Sequence, residues 1–417
     1  MQLASVTKLE SPLIPNFLRI AGEVRFDWGE ARTVWFDLPM QLEPTVSDRG
    51  EPWAVLLLPC AAVSGENLRL DLPVDPLLLY NLKGVQRVWQ SWYPWVKPVS
   101  IEAPEVPQMV AGTDTVSFFS GGVDSYFSLL GPFSEADIVG IPRPGGLLTV
   151  WGFDIPLSKP DEFGRVRALA ERAANHFNKE LVLVATNLQE LPGYREGLRW
   201  GELSHGAALA SIGHLLSNRF RNILIGSTHD YSRLAPWGSH PLVDPQFSSA
   251  QTRIIHEGAA STRVEKTERI CSVPEVAKAL RVCWTSKGAS NCSQCSKCLR
   301  TMVTFDLLGK QHLAESFDWT NYSLDRVGKV FLREKSDIDF ALEIRDAAQR
   351  RGRRDIVRAI ERSVRRSRRL RMVRTISRPV LTKLKKHPAL WQYVDPMRRA
   401  FLGNRPSRPR LKAEISS

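Results

Sequence analysis

The sequence predicts an α/β protein in three parts. These are a small α+β N-terminal module over residues 1–109, a parallel-sheet domain over 110–310, and a helical, strongly basic C-terminal region over 311–417. Three observations predict it. Between about Gly112 and Leu308, β-branched and apolar runs alternate with helical patterns, as in a parallel sheet covered by helices. The first such run, Thr115–Phe119, meets a helical pattern, Tyr126–Leu130, through a tight Gly-Gly turn. Charge is uneven: of a net +13, residues Arg345–Lys412 hold 23 Lys/Arg against 4 Asp/Glu, which leaves the remainder mildly acidic.

In the N-terminal module, Leu18–Phe26 and Arg32–Leu38 alternate as strands do, and Trp53–Leu58 and Leu68–Leu72 are further strand candidates. Asp75 is placed to cap a helix carrying Leu77, Leu78, Leu79, Leu82, Val85, Val88 and Trp89. Trp89, Trp92 and Trp95 read as a packing cluster, since aromatic side chains mostly serve burial. Ile101–Pro107, with two prolines, reads as a linker.

The turn itself is Ser120-Gly121-Gly122-Val123-Asp124-Ser125. A strand that turns through glycines into a helix aims several backbone N–H groups at one spot, and the helix dipole adds partial positive charge there, so the turn suits phosphate. It lacks the lysine and the longer glycine spacing of a Walker A loop. SGGVDS instead resembles the PP-loop of the adenine-nucleotide alpha-hydrolase (HUP) superfamily. The resemblance implies ATP bound with its pyrophosphate end on Ser120, Gly121, Gly122, Val123, Asp124 and Ser125, and cleavage between the alpha and beta phosphates.

Further along, Leu147–Phe153 reads as a strand ending at Asp154, Asp161–Asn178 as a helix, and Glu180–Ala185 as the next strand. Gly206–Phe220 is helical and apolar, and Asn222–Ile225 is a strand that opens into GSTHDYSR. Ligands of open parallel sheets collect beyond the carboxyl ends of strands. Ser120, Asp154, Thr186 and Thr228–Asp230 all fall there, which bounds one expected ATP site. Asp154 either contacts the nucleotide's ribose or adenine, or caps a turn. His229 and Asp230 are candidates to orient substrate or move a proton. Arg195, Arg199 and His205 are candidate anion contacts, with solvated side chains the favoured reading. Tyr231–His256 reads as a long lid or substrate loop, in which Trp237, His240 and Asp244 are recognition candidates. Lys266 is a candidate for neutralising pyrophosphate, or else an exposed lysine. Val273–Leu280 is a short helix.

Cysteine usage supplies the second motif. Cys60 and Cys271 stand apart, whereas Cys283, Cys292, Cys295 and Cys298 form a Cys-x8-Cys-x2-Cys-x2-Cys array. Four thiolates so spaced can close a tetrahedron round Zn²⁺; the same donors also serve iron–sulfur clusters. The array points to a metal site in a reducing compartment, hence the cytoplasm, and not to a disulfide scaffold.

A PP-loop followed by this array is similar to the 7-cyano-7-deazaguanine synthase family of queuosine-precursor biosynthesis, over about Val116–Leu308. Val123 stands where that family commonly has glutamine, and the Tyr231–His256 loop and both termini differ from it. The resemblance implies ATP, Mg²⁺ and Zn²⁺ as cofactors, with zinc held by Cys283, Cys292, Cys295 and Cys298. It implies a ligase that adenylates a carboxylate or amide oxygen of a small-molecule or conjugated acceptor for attack by a nitrogen nucleophile. Ser120, Asp124 and Lys266 would be its catalytic residues, Asp124 either holding Mg²⁺ or capping the helix. Two other readings stand beside it: a PP-loop enzyme that modifies tRNA, and a non-catalytic nucleotide-binding scaffold. The acceptor, the nitrogen donor and the oligomeric state are open.

After Leu308, Ser323–Arg326, Ile338–Ala348 and Arg354–Ile376 read as helices. The last puts Val357, Ile360, Val364, Leu370, Val373 and Ile376 on one stripe and Arg358, Arg362, Arg365, Arg366 and Arg369 opposite it. Such a helix suits nucleic acid, an anionic membrane or an acidic partner, or packs on its own domain as an arginine-coated face. The tail from Gly403 is expected to be disordered. No apolar run reaches membrane-spanning length, and the N-terminus lacks the pattern of a signal peptide.

Overall fold

The computed structural model describes residues 1–131, 140–194, 200–283 and 290–384, the side chains of 373–384 excepted. The chain divides into two compact units, Met1–Asn321 and from Tyr322 onward. The first is built on a ten-stranded sheet flanked by helices.

The first unit opens with three antiparallel strands, β1 (Gln2–Glu10), β2 (Phe17–Arg25) and β3 (Ala31–Pro39). Helix α1 (Glu51–Ser64) follows, then β4 (Leu68–Leu70), α2 (Pro76–Trp92) and the two-residue β5 (Ile101–Glu102). Trp53–Leu58, expected as a strand, lies inside α1. That helix is buried almost all round, and an apolar run without a polar face carries no period that separates strand from helix. Asp75 does cap α2, accepting from the Leu77 and Leu78 amides at 3.0 and 3.3 Å. Trp89 is fully buried in the core, with Trp92 and Trp95 packed against it.

The parallel half contains β6 (Asp114–Phe118), α3 (Val123–Leu130), β7 (Gly146–Trp151), α4 (Pro160–His176), β8 (Glu180–Thr186), α5 (His205–Leu215), β9 (Phe220–Gly226) and β10 (Arg253–Glu257). Strand order across the whole sheet is β10-β9-β6-β7-β8-β3-β2-β1-β4-β5. Numbered from β6, the five parallel strands run 3-2-1-4-5, so β6 sits where the order reverses. Strand β10, except for Glu257, falls inside the segment expected to be a loop. Its pattern is short and surrounded by polar residues, and only pairing with β9 fixes it.

Residues 1–109 were expected as a separate module. Instead β3 pairs antiparallel with β8 through Phe36–Thr186 and Asp37–Ala185, so the N-terminal strands extend the same sheet. Helix α1 packs on α5, whose small residues (AALASIG) admit it closely. The linker reading of 101–107 fails for the same reason, because β5 continues the sheet edge. The compact unit ends at Asn321, beyond the expected boundary at 310.

Three helices follow β10 in the first unit: α6 (Arg263–Cys271), α7 (Pro274–Ala279) and α8 (Ser296–Leu307). The second unit holds α9 (Leu324–Lys329), α10 (Lys335–Arg350) and α11 (Arg354–Leu384). There α11 packs on both its neighbours through Ile356, Ala359, Ile360 and Val364, all buried. Val357, expected on the buried stripe, is only half-buried. Val373 and Ile376 lie among residues whose side chains are not described.

Candidate active site and metal centre

Gly121 makes the turn after β6 with φ +74°, and a Cβ there would lie 2.5 Å from Leu169 Cδ2. Any other residue would be both strained and in collision. Helix α3 then starts at Gly122 with no side-chain cap, so its first amides keep no partner from a capping side chain. Asp124 therefore does not cap the helix. A Cβ on Gly226, at the end of β9, would approach the Asp124 backbone to 3.1 Å, which is how closely β9 lies beneath the turn.

A cavity of about 280 Å³ opens beside this turn. Ser120, Asp124, Ser125, Asp154 and Thr228 line it on the polar side, with Phe153, Leu148, Ile225 and Val166 among its apolar walls. Thr186 does not line it: its hydroxyl is buried and accepts from the Leu188 amide at 3.2 Å. Arg281 does. Its amide donates to the Gly121 carbonyl at 2.8 Å and its guanidinium to the Ser120 carbonyl at 3.3 Å.

The charges nearest the turn are already paired. Arg263 holds Asp124 at 2.8 and 3.2 Å, and Lys266 Nζ approaches the same carboxylate at 3.4 Å. Burial raises the Asp124 pKa, but the two cations outweigh it and hold the carboxyl below its ordinary value. Lys266 is 1 % exposed, and its ammonium also donates to the Ser227 carbonyl at 2.7 Å and lies over the Phe127 ring. The lysine is thus internal, and the exposed-lysine reading is wrong. Burial lowers the Lys297 ammonium, opposed chiefly by the charge of Asp154. Helix α8 therefore brings a further cation near the strand ends.

His205 lines the cavity, contrary to the expected solvated role. Its Nδ1 donates to the Trp200 carbonyl at 2.9 Å, which leaves Nε2 as the acceptor of a neutral ring. Burial lowers its pKa, so it stays neutral at pH 7. Arg195 and Arg199 lie outside the described residues. His229 is pushed down to about 4, first by burial and then by Arg263. Asp230 caps a turn, accepting from the Ser232 amide at 2.9 Å.

Asp244 is fully buried and turned away from the cavity. It accepts from Ser239 Oγ at 2.6 Å and from His256 Nδ1 at 2.7 Å, and His256 Nε2 meets Ser227 Oγ at 2.9 Å. This polar chain fixes Ser227, whose carbonyl receives Lys266. His240 is also structural: its Nδ1 accepts from the Leu242 amide at 3.0 Å, its ring packs on Trp92, and burial pushes its pKa to about 4. Trp237 packs on His205 and His229 and does not line the cavity.

The four clustered cysteines converge, with all Sγ atoms within 4.8 Å of one another. Cys283 and Cys295 are 3.8 Å apart and Cys292 and Cys298 3.9 Å. A tetrahedron with Zn–S bonds of about 2.3 Å has S···S edges of about 3.8 Å, so the donor set suits Zn²⁺. Cys295 is the N-cap of α8, and the Cys295 and Cys298 amides donate to Cys292 Sγ and Cys295 Sγ at 3.3 and 3.5 Å. Asn291 holds the distant ligand in place: its Oδ1 accepts from the Val282 and Cys283 amides at 2.9 and 3.2 Å. Two residues before Cys283 stands Arg281, so the cysteine loop and the Gly-Gly turn share one anchor.

Comparison with protein-family models, with curated proteins and with solved structures gave no match. Among the described residues no helix is long and apolar enough to cross a membrane.

Proposed function

We propose that the chain is an ATP-dependent, AMP- and pyrophosphate-forming ligase of the adenine-nucleotide alpha-hydrolase type, similar to the 7-cyano-7-deazaguanine synthase family. One observation carries the reading. The SGGVDS turn lies at the point where parallel strand order reverses, and it borders a cavity walled by the adjacent strand ends. The pyrophosphate end of ATP would rest on the amides opening α3 and on Arg281, with Ser120 beside it. The apolar wall at Phe153 would take the adenine and Asp154 the ribose.

The acceptor's carboxylate or amide oxygen attacks the alpha phosphorus, the bond to the bridging oxygen breaks, and pyrophosphate leaves. A nitrogen nucleophile then attacks the activated carbon, AMP departs with the electrons of the C–O bond, and His205 Nε2 takes the nitrogen's proton. Asp124 is the carboxylate that would hold Mg²⁺, by exchanging Arg263; the ion would neutralise phosphate charge. A closed four-thiolate site keeps no open position, so zinc held by Cys283, Cys292, Cys295 and Cys298 would have a structural role.

The test is incubation with ATP, Mg²⁺ and fractionated metabolites, reading pyrophosphate and any adenylated ligand by mass spectrometry. The expected result is pyrophosphate with an AMP adduct in at least one fraction, lost in Ser120→Ala. Release of ADP and inorganic phosphate instead would place bond cleavage at the gamma phosphate and overturn the reading.

A further inference from the structure

In the second unit, Arg362, Arg365, Arg366 and Arg369 recur at helical spacing on one face of α11 and, with Leu370, enclose a recess of about 370 Å³. All four are exposed. Two acids lie near: Glu361, whose bond to Arg365 is long, at 3.3 Å, between two exposed side chains and therefore weak, and Asp325 of α9, which faces Arg362 but is already paired with Lys329 at 2.6 Å. Over Ile356–Ser367 the opposite face is used up. Ile356, Ile360 and Val364 are 0–5 % exposed, Ser363 donates to the Val330 carbonyl at 2.9 Å, and Ser367 Oγ accepts from the Leu332 amide at 2.9 Å.

That division separates the partners an arginine-rich amphipathic helix could serve. A helix that lies in a membrane surface must bury its apolar face in the lipid, and over Ile356–Ser367, the stretch that carries these arginines, α11 has already buried that face in its own bundle. What remains is a row of planar guanidinium forks, whose geometry matches phosphate oxygens better than a lysine ammonium does. From Arg362 to Arg369 the helix rises about 10 Å, or about three steps of a nucleic-acid strand at about 3.4 Å each. Arg354–Met372 contains no aromatic residue to stack on a base and no Asn or Gln to read adenine.

We propose that this face of α11 binds the phosphodiester backbone of a nucleic acid without reading its sequence. The inference is independent of the ATP site.

The experiment uses the full chain with short fluorescein-labelled DNA and RNA duplexes of mixed sequence, phosphatidylserine vesicles and polyglutamate. Both duplexes should bind irrespective of sequence, with log affinity falling linearly against log salt at a slope of about −3 to −4, as for about four phosphate contacts. The triple reversal R365E/R366E/R369E should lower duplex affinity at least tenfold and flatten that slope by about 3. The reversal K335E/R350E/R351E, of equal charge but outside α11, should cost less than threefold. Equal losses in the two variants would mean net charge alone and overturn the proposal. So would tighter binding of vesicles or polyglutamate than of either duplex. If the triple reversal melts below the parent, R365Q/R366Q/R369Q replaces it, read by the same criteria.

Discussion

The cavity at the strand ends and the cysteine cluster lie one short segment apart, and they are built on opposite plans. The cluster is closed: four sulfurs face each other at the separations a single ion requires, and Asn291 ties the outlying ligand down. The cavity is open, and its charged neighbours are held back in pairs, Asp124 by Arg263 and Lys266. A closed site spends its groups on stability, whereas an open one keeps Ser120, Asp154 and His205 facing the space a ligand would enter.

The sharpest break in that comparison is a cysteine. Cys295→Ser should reduce metal from about one zinc per chain to a small fraction, as measured by elemental analysis, and lower Tm by about 10 °C or more, because the binding free energy of a structural zinc is folding free energy. Brown protein with stoichiometric iron and sulfide would replace zinc by a cluster in the same thiolates. At the open site the expected loss is in rate. His205→Gln should slow pyrophosphate-coupled turnover by about a hundredfold or more with an unchanged melt, as for loss of a general base. Because the His205 pKa is lowered, activity of the parent should persist as pH falls through 6.5, the ordinary histidine value. An acid limb at or above 6.5 would remove His205 from the proton transfer.

How much of this was legible in the sequence follows the same division. The cluster could be read outright, since each ligand must be a thiolate and three of the four lie within seven residues. The turn could be read because it is local. Arg281 could not, and His205 only as a candidate anion contact with a solvated role favoured, since nothing in SHGAALA or ALRVC marks a side chain that reaches a site assembled across about 160 residues of chain. Lys266 was noticed for its charge, but its burial depends on Ser227, which the His256–Asp244 chain fixes. The joined sheet was missed because the β3–β8 pairing rests on two residue pairs, and no local pattern announces a contact so remote in sequence.

Smaller effects sharpen the contrast. Lys266→Met should cost about 1–3 kcal/mol of stability by denaturant melts, less than a fully buried pair would, since Arg263 still holds Asp124. A larger loss of ATP affinity than of stability would instead make the lysine a ligand contact. Acid should act through the buried neutral histidines. His205, His214, His229 and His240 all have folded pKa values below the ordinary 6.5, so the unfolded chain binds more protons in that range. Stability should therefore decline as pH falls from 6.5 toward about 4, the value for His229 and His240, each contributing on the order of 1–3 kcal/mol. A flat stability curve across that window would mean that these rings take up protons in the folded protein as readily as in the unfolded chain.

The most direct test is calorimetric titration of ATP with Mg²⁺ into the parent and into Gly121→Ala, both loaded with metal and shown to melt cooperatively. The turn after β6 needs a left-handed residue with no Cβ at position 121, so on the proposed reading the parent should bind and the variant should lose at least tenfold in affinity. Equal affinity in the two proteins would contradict nucleotide binding at this turn.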